Sequence, residues 1–279
     1  MGSENALYTI LVEKIKQNSL ILPTLPEIAL KVRDKADSPD VNLGQMSDII
    51  SQDPALSLGM IKVANSPLLS RTVKVQTVNQ AVTRIGLTQI KSIATAMVVE
   101  QIFVSKNKIV SIYLAQSWKN TVNIAAVAIA LMTFYKRNNK HSSLSLDELT
   151  LASLVHSIGV LPILTEAEKH SDVFANPTFL EQAITKLSNK LGAEVTKAWG
   201  FSDELVELVR SWNDLSVLPK EAHYLDFIRA GAIYNDVFKN EETCNALLKS
   251  YVDKGVLPDI LFMKSEEFTT MVDGIKEMF

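Results

Sequence analysis

Proline and glycine punctuate this chain without interrupting it. Its ten glycines and nine prolines fall mostly at the edges of segments whose apolar residues recur with helical spacing. Strand-like alternation of apolar and polar residues is hard to find anywhere along the 279 residues. The pattern restricts the fold to all-α, and local start signals divide it further. Thr77 and Gln80 have the spacing of a capping box, in which a hydroxyl and an amide satisfy each other's backbone N–H groups, and the helix they open is predicted to end at Gly86. Ser145 and Glu148 repeat that spacing ahead of a helix predicted to carry His156 and to be capped by Gly159. Asp53-Pro54 couples a capping carboxylate to a proline whose missing N–H is harmless at the first helical position; this helix is expected to run to Asn65, before Pro67. From Ile112 to Arg137 the periodicity continues for about seven turns and closes on Lys136 and Arg137, cations suited to the negative end of the helix dipole.

The polar segment Ser105-Lys106-Asn107-Lys108 is the expected junction of a two-part helical bundle, residues 1–105 and 106–279. A second polar loop, Asn138 to Ser143, is expected to join two helices within the second part. No repeat is found, which argues against a solenoid. An apolar content of 47% with 21% charged residues is that of an ordinary globular chain. The longest mainly apolar run, Ile124 to Phe134, is shorter than the roughly 20 residues that cross a bilayer, so no membrane span is expected. The N-terminus lacks the basic and apolar regions of a secretory signal, and the single Cys244 can form no intrachain disulfide; a cytoplasmic location is the simplest expectation. A net charge of -3 without a basic run disfavours nucleic acid as a primary partner.

Few residues suggest chemistry by themselves. His156 sits among Leu151, Ala152, Leu154, Val155 and Ile158, where a buried imidazole satisfied by a hydrogen bond is as good a reading as a ligand. His223 and Asp226 have helical spacing that would let them act as an acid–base pair, although a solvated histidine beside the buried Phe227-Ile228 stripe is the commoner arrangement. His141 and His170 read as exposed loop residues. Cys244 lies beside Glu241 and Glu242, which would raise a thiol pKa and oppose nucleophilic reactivity. The acidic pairs Asp147-Glu148 and Glu266-Glu267 read as helix-start residues that complement the dipole. Neither glycine-rich phosphate-loop spacing occurs, so ATP hydrolysis and dinucleotide redox chemistry lack their usual support.

Five segments taken together resemble the HDOD family, bacterial helical regulators related to the metal-dependent HD phosphohydrolases. They are Leu22-Pro23-Thr24-Leu25-Pro26, Asp53-Pro54-Ala55-Leu56, Lys62-Val63-Ala64-Asn65-Ser66-Pro67, Val78-Asn79-Gln80-Ala81-Val82 and Ile85-Gly86-Leu87. The resemblance covers roughly residues 15 to 215. It implies an N-terminal HDOD-type bundle, a C-terminal HD-like helical bundle and extra C-terminal helices. Most of these motifs also read as architecture: Asn65 could adopt a left-handed cap conformation and Gly86 could end a helix, while Asn65 and Ser66 could also meet a partner.

In HD enzymes adjacent His and Asp residues give an imidazole and a carboxylate to a divalent cation; here the pair is His156-Ser157, and a serine hydroxyl is a neutral, weak ligand. The same resemblance puts Asn120, in Trp118-Lys119-Asn120-Thr121, where a first histidine would stand. It puts Ser188, ahead of Leu191-Gly192-Ala193 and Trp199-Gly200, at another histidine position, and Trp212-Asn213 where a histidine pair is common. Gly231, in Arg229-Ala230-Gly231, stands near the last aspartate. A single imidazole offsets little of a divalent ion's lost hydration, so neither metal binding nor phosphohydrolase chemistry is expected, and no cofactor is implied. Trp118, Trp199 and Trp212 either pack the core or line a vestigial pocket with Asn120, His156, Ser157, Ser188 and Asn213, suited to a small nucleotide ligand. The reading is a non-catalytic signalling scaffold with a protein partner. Its alternative is a metal-dependent phosphohydrolase acting on a nucleotide or phosphodiester, with His156 as surviving ligand.

Overall fold

Asp53 caps its helix as its chemistry predicts: the carboxylate accepts a hydrogen bond from the Leu56 N–H at 2.8 Å, and Pro54 is the first helical residue. Thr77 and Gln80 form the complete capping box, and Gly86, at φ 87°, ends that helix. The computed structural model describes residues 6–17, 19–69, 72–170 and 177–279; the described residues contain no β-strand. In chain order the helices are α1 (Ala6–Lys16), α2 (Glu27–Ala36), α3 (Leu43–Ile50), α4 (Pro54–Ala64), α5 (Val78–Ile85), α6 (Leu87–Glu100) and α7 (Lys108–Asn138). They continue with α8 (Leu146–Val155), α9 (Val160–Lys169), α10 (Pro177–Ala198), α11 (Asp203–Ser211), α12 (Tyr224–Tyr234), α13 (Glu241–Asp253) and α14 (Glu266–Lys276), with a 3-10 turn at Phe262–Lys264.

Five expectations are corrected by tertiary context. Asn65 caps α4 at φ -96° and ψ 0°, outside the left-handed region. Its side chain instead brackets Val75, donating to the Val75 carbonyl and accepting from the Val75 N–H, each at 2.8 Å. The helix expected to carry His156 ends one residue earlier, at Val155. Gly159 is not its C-cap: with φ -67° it precedes α9. Ser145 Oγ accepts from the N–H groups of Asp147 and Glu148, but Glu148 does not close a box and accepts the Tyr224 hydroxyl instead. His170 is also not a bare loop residue, because its Nε2 lies 3.0 Å from the Glu166 carboxylate at the end of α9.

The chain divides into two units, each assembled from three separated stretches. The first draws on Met1–Thr24, Gln101–Lys119 and Val155–Leu215. Here α10 packs on α11, α9 and α1, while α1 also meets α9. The approach of the turn before α9 to α10 allows no side chain at residue 159. A Cβ there would lie 1.8 Å from the Ser188 carbonyl oxygen and 2.4 Å from the Gly192 nitrogen. The second unit draws on Leu25–Glu100, Asn120–Leu154 and Ser216–Phe279. In it α2 packs on α6 and α3, α4 on α5 and α6, and α12 on α13. Its core includes the fully buried run Ala125–Val127 of α7 and a ring cluster in which Phe134 meets Phe262 edge-on at 4.8 Å. The stretch Leu146–Lys169 has the length and composition of a membrane span, which run-counting misses because it contains charges, but most of it is buried inside the protein.

Candidate functional site

His156 follows α8 directly and is the first residue of the four-residue turn that leads into α9. Burial of Leu154, Val155 and Ile158 carries it inward, so that only 2% of its surface is exposed. Its ring meets the indole of Trp212 at a centroid distance of 4.5 Å and an interplanar angle of 77°. That edge-to-face contact uses the positive rim of one ring against the negative face of the other. Trp212 is itself fixed as the residue that ends α11. Ser157 is half-buried beside the histidine. Ser188 enters through its backbone, as the carbonyl that forbids a side chain at Gly159.

Asn213 continues from Trp212 and accepts, through Oδ1, a hydrogen bond from Asn189 Nδ2. The same amide donates to the Arg210 carbonyl at 3.0 Å. Asn189 Oδ1 is buried and has no hydrogen-bond partner. Asn189 was not a sequence candidate. The signal available was its place one residue after Ser188, which turns its side chain to another side of α10. Five of the six candidates therefore come together in the first unit: His156, Ser157, Ser188, Trp212 and Asn213. Asn120 belongs to the second unit, where it is exposed on α7. Gly231, also in the second unit, lies against α7; a Cβ there would come within 2.5 Å of the Ile124 carbonyl oxygen.

The tryptophans have separate partners. Trp118 packs on Phe103 at 5.2 Å, and Trp199 donates its Nε1 hydrogen to the Pro23 carbonyl at 2.8 Å while meeting Phe201 edge-on. The Trp199 bond ties the Leu22-to-Pro26 motif to the end of α10. His223 and Asp226 are a capping box, which explains their spacing: His223 Nδ1 accepts from Leu225 N–H, and Asp226 accepts from His223 N–H. Asp226 also pairs with Lys254 at 3.0 Å, and burial, only partly offset by that ammonium, holds its pKa above the ordinary carboxylate value. Cys244 is buried, and burial together with Asp236 and Glu241 raises its thiol pKa.

Glu166, on α9, is 2% exposed and contacts Lys14, Lys169 and His170. Burial would raise its pKa, but the Lys14 hydrogen bond, the Lys169 and Lys14 charges and the His170 hydrogen bond together hold it below the ordinary value. Among the described residues no group of three or more histidine, cysteine, aspartate or glutamate side chains is placed to hold a metal ion.

A family model for the HDOD domain matches residues 22–215. A solved structure from Shewanella amazonensis SB2B, described provisionally as a metal-dependent phosphohydrolase, is 41% identical, with a TM-score of 0.94 over 100% of this chain and 99% of that one. A protein from Marinobacter aquaeolei VT8, described provisionally as a signal transduction protein, has a TM-score of 0.62 at 18% identity, covering 98% of this chain and 65% of that one. An uncharacterised protein of Treponema pallidum is 21% identical over 211 residues, 72% of this chain. The match spans 39% of that relative's length.

Proposed function

The chain belongs to the HDOD family, and from that premise we propose that it is a non-catalytic regulatory scaffold in signal transduction whose HD-like site no longer holds metal. The carrying observation is the packing of His156. Its imidazole is buried edge-on against Trp212, and the residue paired with it in the chain is the half-buried Ser157. That donor set does not fit a divalent cation: it offers one imidazole and no carboxylate, so nothing anionic compensates the ion's dehydration. Without such an ion these residues have no means of lowering the pKa of an attacking water. His156 instead contributes a ring to the core, and the surrounding surface is left for binding.

The second reading is a metal-dependent phosphohydrolase, favoured by the description of the Shewanella protein at 41% identity. One experiment separates the two. Protein purified without chelator is assayed for bound metal and for phosphodiester hydrolysis with added manganese. The scaffold reading expects substoichiometric metal and no turnover. Stoichiometric metal with turnover abolished by His156→Ala would establish the hydrolase.

The partner is proposed to be a signalling protein, in keeping with the description of the Marinobacter protein, and the setting cytoplasmic. A small nucleotide is the proposed ligand of the first-unit residues, where the unpartnered Asn189 Oδ1 offers an acceptor to a base amino group. The division at residues 105 and 106 belongs to the same proposal, with limited proteolysis in Ser105–Lys108 as its test.

A further inference from the structure

Ser66 has a hydroxyl that the fold does not use. Its backbone is engaged, with the N–H donating to Val63 and the carbonyl accepting from Leu69. Its Oγ is buried in a residue that is 6% exposed, and it has no hydrogen-bond partner. Buried polar groups are almost always paired, because an unpaired one keeps its full desolvation cost. Ser66 borders a cavity of about 390 Å³ lined also by Lys62, Asn65, Pro67, Gly274 and Glu277, all within the second unit. That volume lies at the lower end of small-molecule sites.

The charges around the cavity are complementary without being joined. Lys62 supplies an ammonium and Glu277 a carboxylate, and none of the described ion pairs includes either residue. A cation and an anion that share one cavity without meeting each other fit a molecule that carries both signs. The backbone adds direction. Glu277 ends α14, so the negative end of that helix dipole reinforces its carboxylate. Asn65, which could otherwise compete, is already committed to Val75 through both ends of its amide.

We infer that this cavity binds a small zwitterion of amino-acid size, its carboxylate held by Lys62 Nζ and the Ser66 hydroxyl and its ammonium held by Glu277. The site is separate from the His156 centre and does not depend on its function. It also gives the Lys62-to-Pro67 motif a role that helix termination does not need.

The test uses the full chain and the common free amino acids, added one at a time, with thermal unfolding as the first readout and calorimetry as the second. At least one free amino acid raises Tm, whereas its N-acetyl derivative, which lacks the ammonium, and its amide, which lacks the carboxylate, do not. Lys62→Met and Glu277→Gln alter exposed side chains and should leave folding intact while weakening binding about tenfold or more; Ser66→Ala should do the same. The inference is overturned if no free amino acid shifts Tm at millimolar concentration, if either derivative binds as well as its parent, or if the Lys62 and Glu277 variants keep full affinity.

Discussion

Glu166 in the first unit and Asp226 in the second are both almost fully buried carboxylates, 2% and 1% exposed, yet their acidities move in opposite directions. Glu166 has two lysines and a histidine around it and is held below its ordinary pKa. Asp226 has one lysine and the backbone N–H of His223, and burial wins. The difference teaches that the charge cost of a carboxylate here is a balance: desolvation weighs more heavily on Asp226, while the cationic partners are more numerous around Glu166. It also separates two functions of charge. At Glu166 the ions draw α1 onto α9, whereas at Asp226 the carboxylate caps α12 and one ammonium keeps it tolerable.

The largest expected effect follows from removing the lysine of the poorer site. Lys254→Met deprives the buried Asp226 of its ammonium partner and should cost about 3–5 kcal/mol of stability, read from the urea midpoint at pH 7. A cost below that of Lys14→Met would break the comparison. Next comes Glu166→Gln, which should cost about 1–3 kcal/mol at neutral pH because a charge-assisted cluster loses its centre.

The pH dependence sharpens the same contrast through its sign. Because the folded pKa of Glu166 is lowered, its stabilisation is present above the unfolded value of about 4.3 and is lost as pH falls through the folded pKa. Because the folded pKa of Asp226 is raised, the fold takes up its proton more readily than the unfolded chain. Its contribution is fully present below the unfolded value of about 3.9 and is lost as pH rises through the folded pKa. Urea midpoints between about pH 3 and 6 should therefore fall less steeply with acid in Glu166→Gln than in the wild type, and more steeply in Asp226→Asn. Matching slopes in the two variants would refute the opposed shifts. The smallest effect is expected for Lys14→Met. Its side chain is partly exposed and Glu166 keeps Lys169 and His170, so the loss should be about 1 kcal/mol.

The same division between local and distant causes governs what can be read from the residues. Thr77 with Gln80 and Asp53 with Pro54 were legible because their hydrogen bonds close within four residues. Ser145 with Glu148 was legible only by half, since Glu148 was drawn to Tyr224, 76 residues away. His223 with Asp226 carries the spacing of a capping box, but histidine is an uncommon cap, so the spacing alone reads equally as an acid–base pair. The all-α class and the family were readable from periodicity and scattered motifs; the interleaving of three stretches in each unit was not, because no local pattern records which distant helices meet. For the candidate site, the sequence pointed to His156 and Trp212 but not to their contact. It missed Glu166 and Asn189 because burial and an unpaired carbonyl oxygen are properties of the packed molecule.

Gly159 makes the joint between its turn and α10 a contact of backbone on backbone, with the Ser188 carbonyl and Gly192 on the opposing side. Side chains at most helix contacts act as soft bearings, because changes of rotamer absorb small slips. Here no side chain is interposed. A displacement of α10 along its axis must be passed on to the turn that carries His156 or must break the joint, so the two behave as one lever.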